Sequence, residues 1–113
     1  MGKYVWNESS LSWQERAPGA RAKTLGFHEK LAMITMQLDA GVDVPLHTHE
    51  AEELGLVTKG KSEVQIGGEN YVLGPGDYFF IPSNTLHAIR IVEDMEFIGA
   101  MSPPRPEYRP QEG

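Results

Sequence analysis

Residues 47 to 53 read HTHEAEE, which places two of the chain's four histidines and three glutamates within seven positions. Imidazole nitrogen and carboxylate oxygen together make a donor set for divalent transition metals. Side chains alternate faces along an extended strand, so His47 and His49 point the same way and can hold one cation between them. Glu53 lies six residues past His47, about 20 Å of fully extended chain, and can meet the same ion only if the chain turns between them. Glu50, Ala51 and Glu52 would form that turn, with Glu50 and Glu52 facing solvent or orienting the imidazoles from outside. His87, at the start of the apolar stretch HAIRIV, offers a fourth donor if that stretch lies alongside. His28, in GFHEK, reads as an exposed turn residue. With no cysteine in the chain there is no disulfide framework and no thiolate ligand, so any metal site must use nitrogen and oxygen.

The elements that must position these donors read as strands. Short runs rich in Val, Ile, Phe, Tyr and Thr recur about every ten residues, separated by Gly, Pro, Asn and Asp, the pattern of an all-β sandwich or barrel. Strands are expected at 21–26, 31–38, 53–58, 62–66, 70–73, 78–81, 87–92 and 96–101. Tight reversals are expected at TKGKS around Gly60, at IGGEN with Gly67 and Gly68, and at LGPGD with Gly74, Pro75 and Gly76. The organisation expected is one domain over 1–113: an N-terminal arm to about residue 20 pinned by Trp6 and Trp13, a barrel over 21–101, and an extended proline-rich tail from 102 that is loose or lies on a partner. The 113 residues suffice for one core and no second. A net charge of -6, with ten scattered Lys and Arg, argues against nucleic acid. No apolar run approaches membrane-spanning length and the N-terminus lacks a signal-like apolar stretch, so no membrane partner and a cytoplasmic location are expected.

The spacing Gly41-x5-His47-x-His49-x3-Glu53-x6-Gly60 resembles the first motif of the cupin family at every defined position. The second motif is matched in part by Gly76-x5-Pro82-x-Asn84-x2-His87. Asn84 stands where the family usually has glycine, a mild departure because Asn tolerates left-handed φ, and Ile91 stands where it often has Asn. The resemblance implies a double-stranded β-helix, or jelly-roll, barrel whose metal is held by His47, His49, Glu53 and His87. Three imidazoles and a carboxylate suit Mn, Fe, Co, Ni, Cu or Zn. One carboxylate leaves a divalent ion with net positive charge, so the pocket should favour a small anionic or chelating molecule such as a sugar acid.

With PGARAKTLG and SPPRPEY added, the whole chain is similar to the small cupins of the pectin-degradation type, which open the ring of unsaturated uronates. In that likeness Arg105 becomes a clamp for a substrate carboxylate. Gly99, however, stands where an acid for proton transfer is expected, and glycine does no acid–base work. A metal-activated water, Tyr78 or Tyr108 would then have to move the proton. The chemistries compatible with the residues are a metal-dependent isomerase or lyase, a metal-dependent dioxygenase, and a non-catalytic binding or sensing domain. A homodimer is expected, with Trp6, Trp13 or the proline-rich tail in the contact.

Overall fold

The computed structural model describes residues 4–110. Eight strands follow one another: β1 (Gln14–Ala17), β2 (Ala20–Phe27), β3 (Ala32–Leu38), β4 (Asp43–His47), β5 (Glu52–Ile66), β6 (Glu69–Leu73), β7 (Tyr78–Ile81) and β8 (His87–Ser102). The helical content among the described residues is two single 3-10 turns, Glu8–Ser10 and Pro106–Tyr108. Accordingly, no described helix is long and apolar enough to cross a membrane.

All pairing is antiparallel, in the order β1-β2-β3-β8-β5-β6, with β4 also on β8 and β7 also on β5. The two long strands organise the rest. One half of their ladder pairs Glu52–Val57 with Phe97–Ser102 and is flanked by β3 and β7; the other pairs Lys61–Ile66 with His87–Glu93 and is flanked by β4 and β6. Two sheets thus share two continuous strands, the jelly-roll arrangement expected. Alternate residues of β5 and β8 point into the space between them, so Val57, Val64, Ile91, Met95 and Phe97 build one apolar cluster with Leu38 and Leu73. A second cluster joins Ala22, Ala32, Ile34, Ala51 and Met101 to Tyr108. Each fully buried aliphatic side chain here contributes about 1.5–3 kcal/mol relative to exposure.

Three local expectations are corrected. No reversal occurs at TKGKS: the expected strands 53–58 and 62–66 are one strand, β5, and 87–92 and 96–101 are likewise one, β8. Gly60 does take positive φ, +88°, but within a series of register shifts that bends β5 against β8. A Cβ at Gly60 would collide with the Asp94 carbonyl oxygen, so close backbone crossing demands glycine where a hairpin was expected. Strands β1 and β4 were not foreseen. The expected IGGEN hairpin forms, with Gly67 and Gly68 both at positive φ between β5 and β6.

The two ends also fold back on the chain's own sheet. Trp6 donates its indole N–H to the Leu25 carbonyl at 2.7 Å, and the Lys23 ammonium lies 4.7 Å from the Trp13 ring centre. Both tryptophans therefore lie against β2 of their own chain. The tail is not loose: Tyr108 is buried, and its carbonyl accepts from the Thr24 hydroxyl at 2.7 Å. Its apolar ring had no place in an expectation built on proline content.

Candidate metal centre

His47 is the last residue of β4 and pairs across the sheet with His87, the first of β8, so the two strand ends bring two imidazoles together. His49 follows in the turn before β5. That turn is held by the loop after β7, where the Asn84 amide donates to the His49 carbonyl and the Ser83 hydroxyl to the Glu50 carbonyl. Asn84 sits at φ 57°, the left-handed conformation its side chain tolerates. Ring centres are 4.1 Å apart for His47 and His87, 4.7 Å for His49 and His87, and 5.7 Å for His47 and His49. One ligand atom from each of the three falls within 4.8 Å of the others.

Each Nδ1 has a backbone carbonyl as its partner: Pro45 for His47 at 2.9 Å, Ala51 for His49 at 2.7 Å and Thr85 for His87 at 2.8 Å. A carbonyl oxygen only accepts, so each Nδ1 carries the hydrogen and each neutral ring presents its Nε2 lone pair. Among the described residues no hydrogen-bond partner satisfies the buried His49 Nε2. It lies 3.3 Å from Glu53 Oε1, so a lone pair faces a carboxylate oxygen in a nearly buried site. A cation shared by the two relieves that repulsion. Burial holds His87 below the usual imidazole range, assisted by His47 and His49 and opposed by the Thr85 carbonyl, which keeps its ring in the ligating form. The donor set and its outer partners fit a transition metal.

Glu53 enters differently from the histidines. It lies on β5, paired with Ile81 and Met101, and its Oε1 also accepts from Arg105 Nη1 at 2.9 Å. The Arg105 Nη2 donates to Glu107 at 2.9 Å, and the guanidinium carbon lies 5.2 Å from the Tyr108 ring centre. Arg105 thus reaches the mouth of the site but already grips Glu53.

A cavity of about 170 Å³ opens beside the histidines, walled by Ile34, Met36, Phe79, Ile81 and Phe97 and bordered by Arg105 and Tyr108. Tyr78 is absent from it. Glu53 pairs with Ile81, so Phe79 and Ile81 take the inward positions of β7 and Tyr78 turns outward, 71 % exposed. This corrects the expectation of Tyr78 as a catalytic group. The wall residues were missed, although alternation in YFFI carried the signal once one inward position was known. Tyr108 is buried, and its hydroxyl donates to the Met36 thioether at 3.8 Å, a weak partner. Burial pushes its pKa above the usual phenol range despite the Arg105 and Arg16 cations nearby. Gly99 stands on β8 between Ile34 and Gly55, with the inward parity of Phe97 and Met101.

The profile of the cupin domain family matches residues 34–99, which spans both halves of the histidine cluster. The chain belongs to the cupin family. KdgF from Halomonas sp. is a solved structure with TM-score 0.85 and 31 % identity, covering 96 % of this chain and 100 % of that one. The pectin degradation protein KdgF of Dickeya dadantii is 26 % identical over 103 residues, 89 % of this cupin and 94 % of that protein. An RmlC-like cupin from Shewanella frigidimarina superposes with TM-score 0.88 at 23 % identity, covering 96 % and 97 % of the two chains, and shows the shared fold. This small cupin therefore resembles the pectin-degradation type over nearly its full length.

Proposed function

We propose that this cupin holds a divalent transition metal on His47, His49 and His87, with Glu53 as fourth donor, and uses the site on a small carboxylate such as an unsaturated uronate. The observation that carries the proposal is the set of three imidazoles whose Nδ1 atoms are each committed to a backbone carbonyl while their free nitrogens converge. The bound ion would supply Lewis acidity toward a carbonyl or hydroxyl oxygen. The likeness to KdgF supports the sugar-acid reading.

Ring opening of such a uronate is an isomerisation and needs no co-substrate. The anomeric hydroxyl loses its proton, the bond from the anomeric carbon to the ring oxygen breaks, and the vinylic carbon gains a proton. Arg105 has five N–H donors; Glu53 and Glu107 each engage one, and the remainder can hold the substrate carboxylate. Tyr108 keeps its hydroxyl protonated at neutral pH and borders the cavity, so its Oη is the proton source in place of the acid missing at Gly99. The apolar walls Ile34, Phe79 and Phe97 favour one competing reading, oxygen-dependent cleavage of a small aromatic or enol acid.

The test is binding and turnover of an unsaturated uronate by metal-loaded protein, followed by loss of the double-bond absorbance. Arg105→Ala is expected to weaken uronate binding at least tenfold, and Tyr108→Phe to slow turnover about a hundredfold, by the usual worth of general acid catalysis. Metal-loaded protein that neither binds nor converts the uronate, but consumes oxygen with an aromatic acid, overturns the sugar-acid reading. Metal-supplied protein that retains no stoichiometric transition metal overturns both readings.

A further inference from the structure

A second cavity, of about 380 Å³, lies where the N-terminal arm, β1, β2 and the C-terminal tail meet. Its volume falls in the range of about 300–1,000 Å³ usual for small-molecule sites. Among the described residues Tyr108 alone borders both this cavity and the one beside the metal centre; the histidines, Glu53 and Arg105 line the metal cavity and not this one. Arg16 of β1 and Arg109 of the tail line the second cavity, and no carboxylate does, in a chain of net charge -6. Two cations without an acid are an unusual lining for so acidic a protein.

Both guanidinium groups are placed by aromatic rings. The Arg16 guanidinium carbon lies 4.7 Å from the Tyr108 ring centre, and that of Arg109 lies 4.7 Å from the Phe27 ring centre. Neither has an ion-pair partner among the described residues, whereas Arg21 is paired with Asp39, and Arg105 with Glu53 and Glu107. A ring contact consumes no N–H, so each guanidinium keeps its fork of donors for a carboxylate or a phosphoryl group. Acceptors lie beside them. The Thr24 hydroxyl donates to the Tyr108 carbonyl and the Ser10 hydroxyl to the Asn7 carbonyl, each at 2.7 Å, which leaves both oxygens free to accept. The Ser12 and half-buried Gln14 side chains, also in the lining, have no hydrogen-bond partner among the described residues.

We propose that this cavity is a second ligand site, which takes a small polyhydroxylated organic anion, its charged group held between Arg16 and Arg109 and its hydroxyls by Ser12, Gln14 and Thr24. The donors answer the charge and the acceptors answer the hydroxyls. A bare inorganic ion would occupy a small part of the cavity and would set its oxygens against the Thr24 and Ser10 lone pairs. Because the rings already hold both guanidinium groups, little side-chain freedom remains to be lost on binding. Arg16 and Arg109 are exposed, so their attraction is screened by salt over about 10 Å and the affinity falls as ionic strength rises. The site stands independently of the metal and of any reaction there.

Calorimetric titration of metal-loaded, full-length protein at low ionic strength tests it, with galacturonate, glycerol phosphate, inorganic phosphate and neutral galactose as probes. At least one of the two hydroxylated anions is expected to bind with a Kd of about 1 mM or tighter, and the tighter of them identifies the charged group as carboxylate or phosphoryl. Arg16→Gln and Arg109→Gln are each expected to raise that Kd about tenfold or more, the usual weight of a hydrogen bond to a charged group. His87→Ala, which disables the metal centre, should leave it unchanged. Melting is checked in parallel, and if Arg16→Gln does not fold, Arg109→Gln carries the test. Absence of binding by both hydroxylated anions overturns the proposal, as does binding that is lost in His87→Ala but survives in the folded arginine variants, which places the anion on the metal alone. Galactose or inorganic phosphate binding as tightly as the hydroxylated anions overturns it equally.

Discussion

The two faces of strands β5 and β8 differ by one residue of register and by nearly everything else. Inward, Glu53 and Phe97 line the cavity, with Gly55 and Gly99 on the same parity; outward, Leu54 and Ile98 are exposed and Leu56 and Ala100 half-buried. The inner face is crowded: a Cβ on Gly55 would fall within the Phe79 ring, which in turn packs edge-on against Phe97 at 5.3 Å. The outer face has room and no ligand chemistry. A strand's period of two lets neighbouring residues line a cavity and form the outer surface with no compromise between them.

The comparison can be broken most severely at the histidines. His47→Ala or His87→Ala should lower metal affinity by more than a hundredfold, since outer-shell partners alone are worth about 10–100-fold and these are the ligands themselves. Elemental analysis after dialysis checks it, with His28→Ala unchanged, since His28 lies far along the chain on an exposed turn beside Trp6.

Gly55→Ala tests whether the inner face is as full as it looks. Overpacking there should cost about 1–3 kcal/mol in denaturant unfolding. Gly99 is the control one strand away: a Cβ there meets Phe97 at 3.5 Å and the Leu54 carbonyl oxygen at 3.7 Å, ordinary contacts. Gly99→Ala should therefore be tolerated within about 1 kcal/mol, by the cost of small volume changes in a core. Gly99→Asp, in turn, should raise uronate turnover toward the hundredfold typical of an added general acid. No gain in a folded, metal-loaded Gly99→Asp would show that the position does not reach the ligand.

The smallest effects separate the faces by pH. The folded pKa of His87 lies below 6.5, so the unfolded chain binds the proton first as pH falls. Its contribution to metal-free stability is present above about pH 6.5 and is lost as pH drops toward the folded value. Tyr108 acts at the other end: its folded pKa lies above 10.0, so its contribution holds below about pH 10 and is lost as pH rises through the folded value. Melting curves of metal-free protein should lose stability at both extremes, with Tyr108→Phe flattening the alkaline side. Leu54→Ala should leave both limbs of the profile in place.

Much of the site was legible because its signals are local. The histidine spacing predicted a shared cluster, and the two strand ends deliver it; Gly67–Gly68 predicted a hairpin, and Asn84 a tolerated left-handed residue. Gly60 misled because positive φ serves a hairpin and a bulge alike, and what separates them is Asp94, more than thirty residues away, crossing close behind. Tyr78 misled for the same kind of reason. Its face depends on the register of β7 against β5, which no property of YFFI contains without a partner strand.

The all-β class, the family motif and the three histidines that cluster were legible in the amino-acid sequence, because alternation, turn chemistry and ligand type are properties of short stretches. Tertiary packing alone set that Arg105 grips Glu53, that Tyr108 borders the cavity, that the tryptophans lie on β2, and that Leu54 and Phe80 are exposed. Each of those depends on which distant strand lies alongside, and long-range register is set by the packing of the whole core rather than by any segment within it.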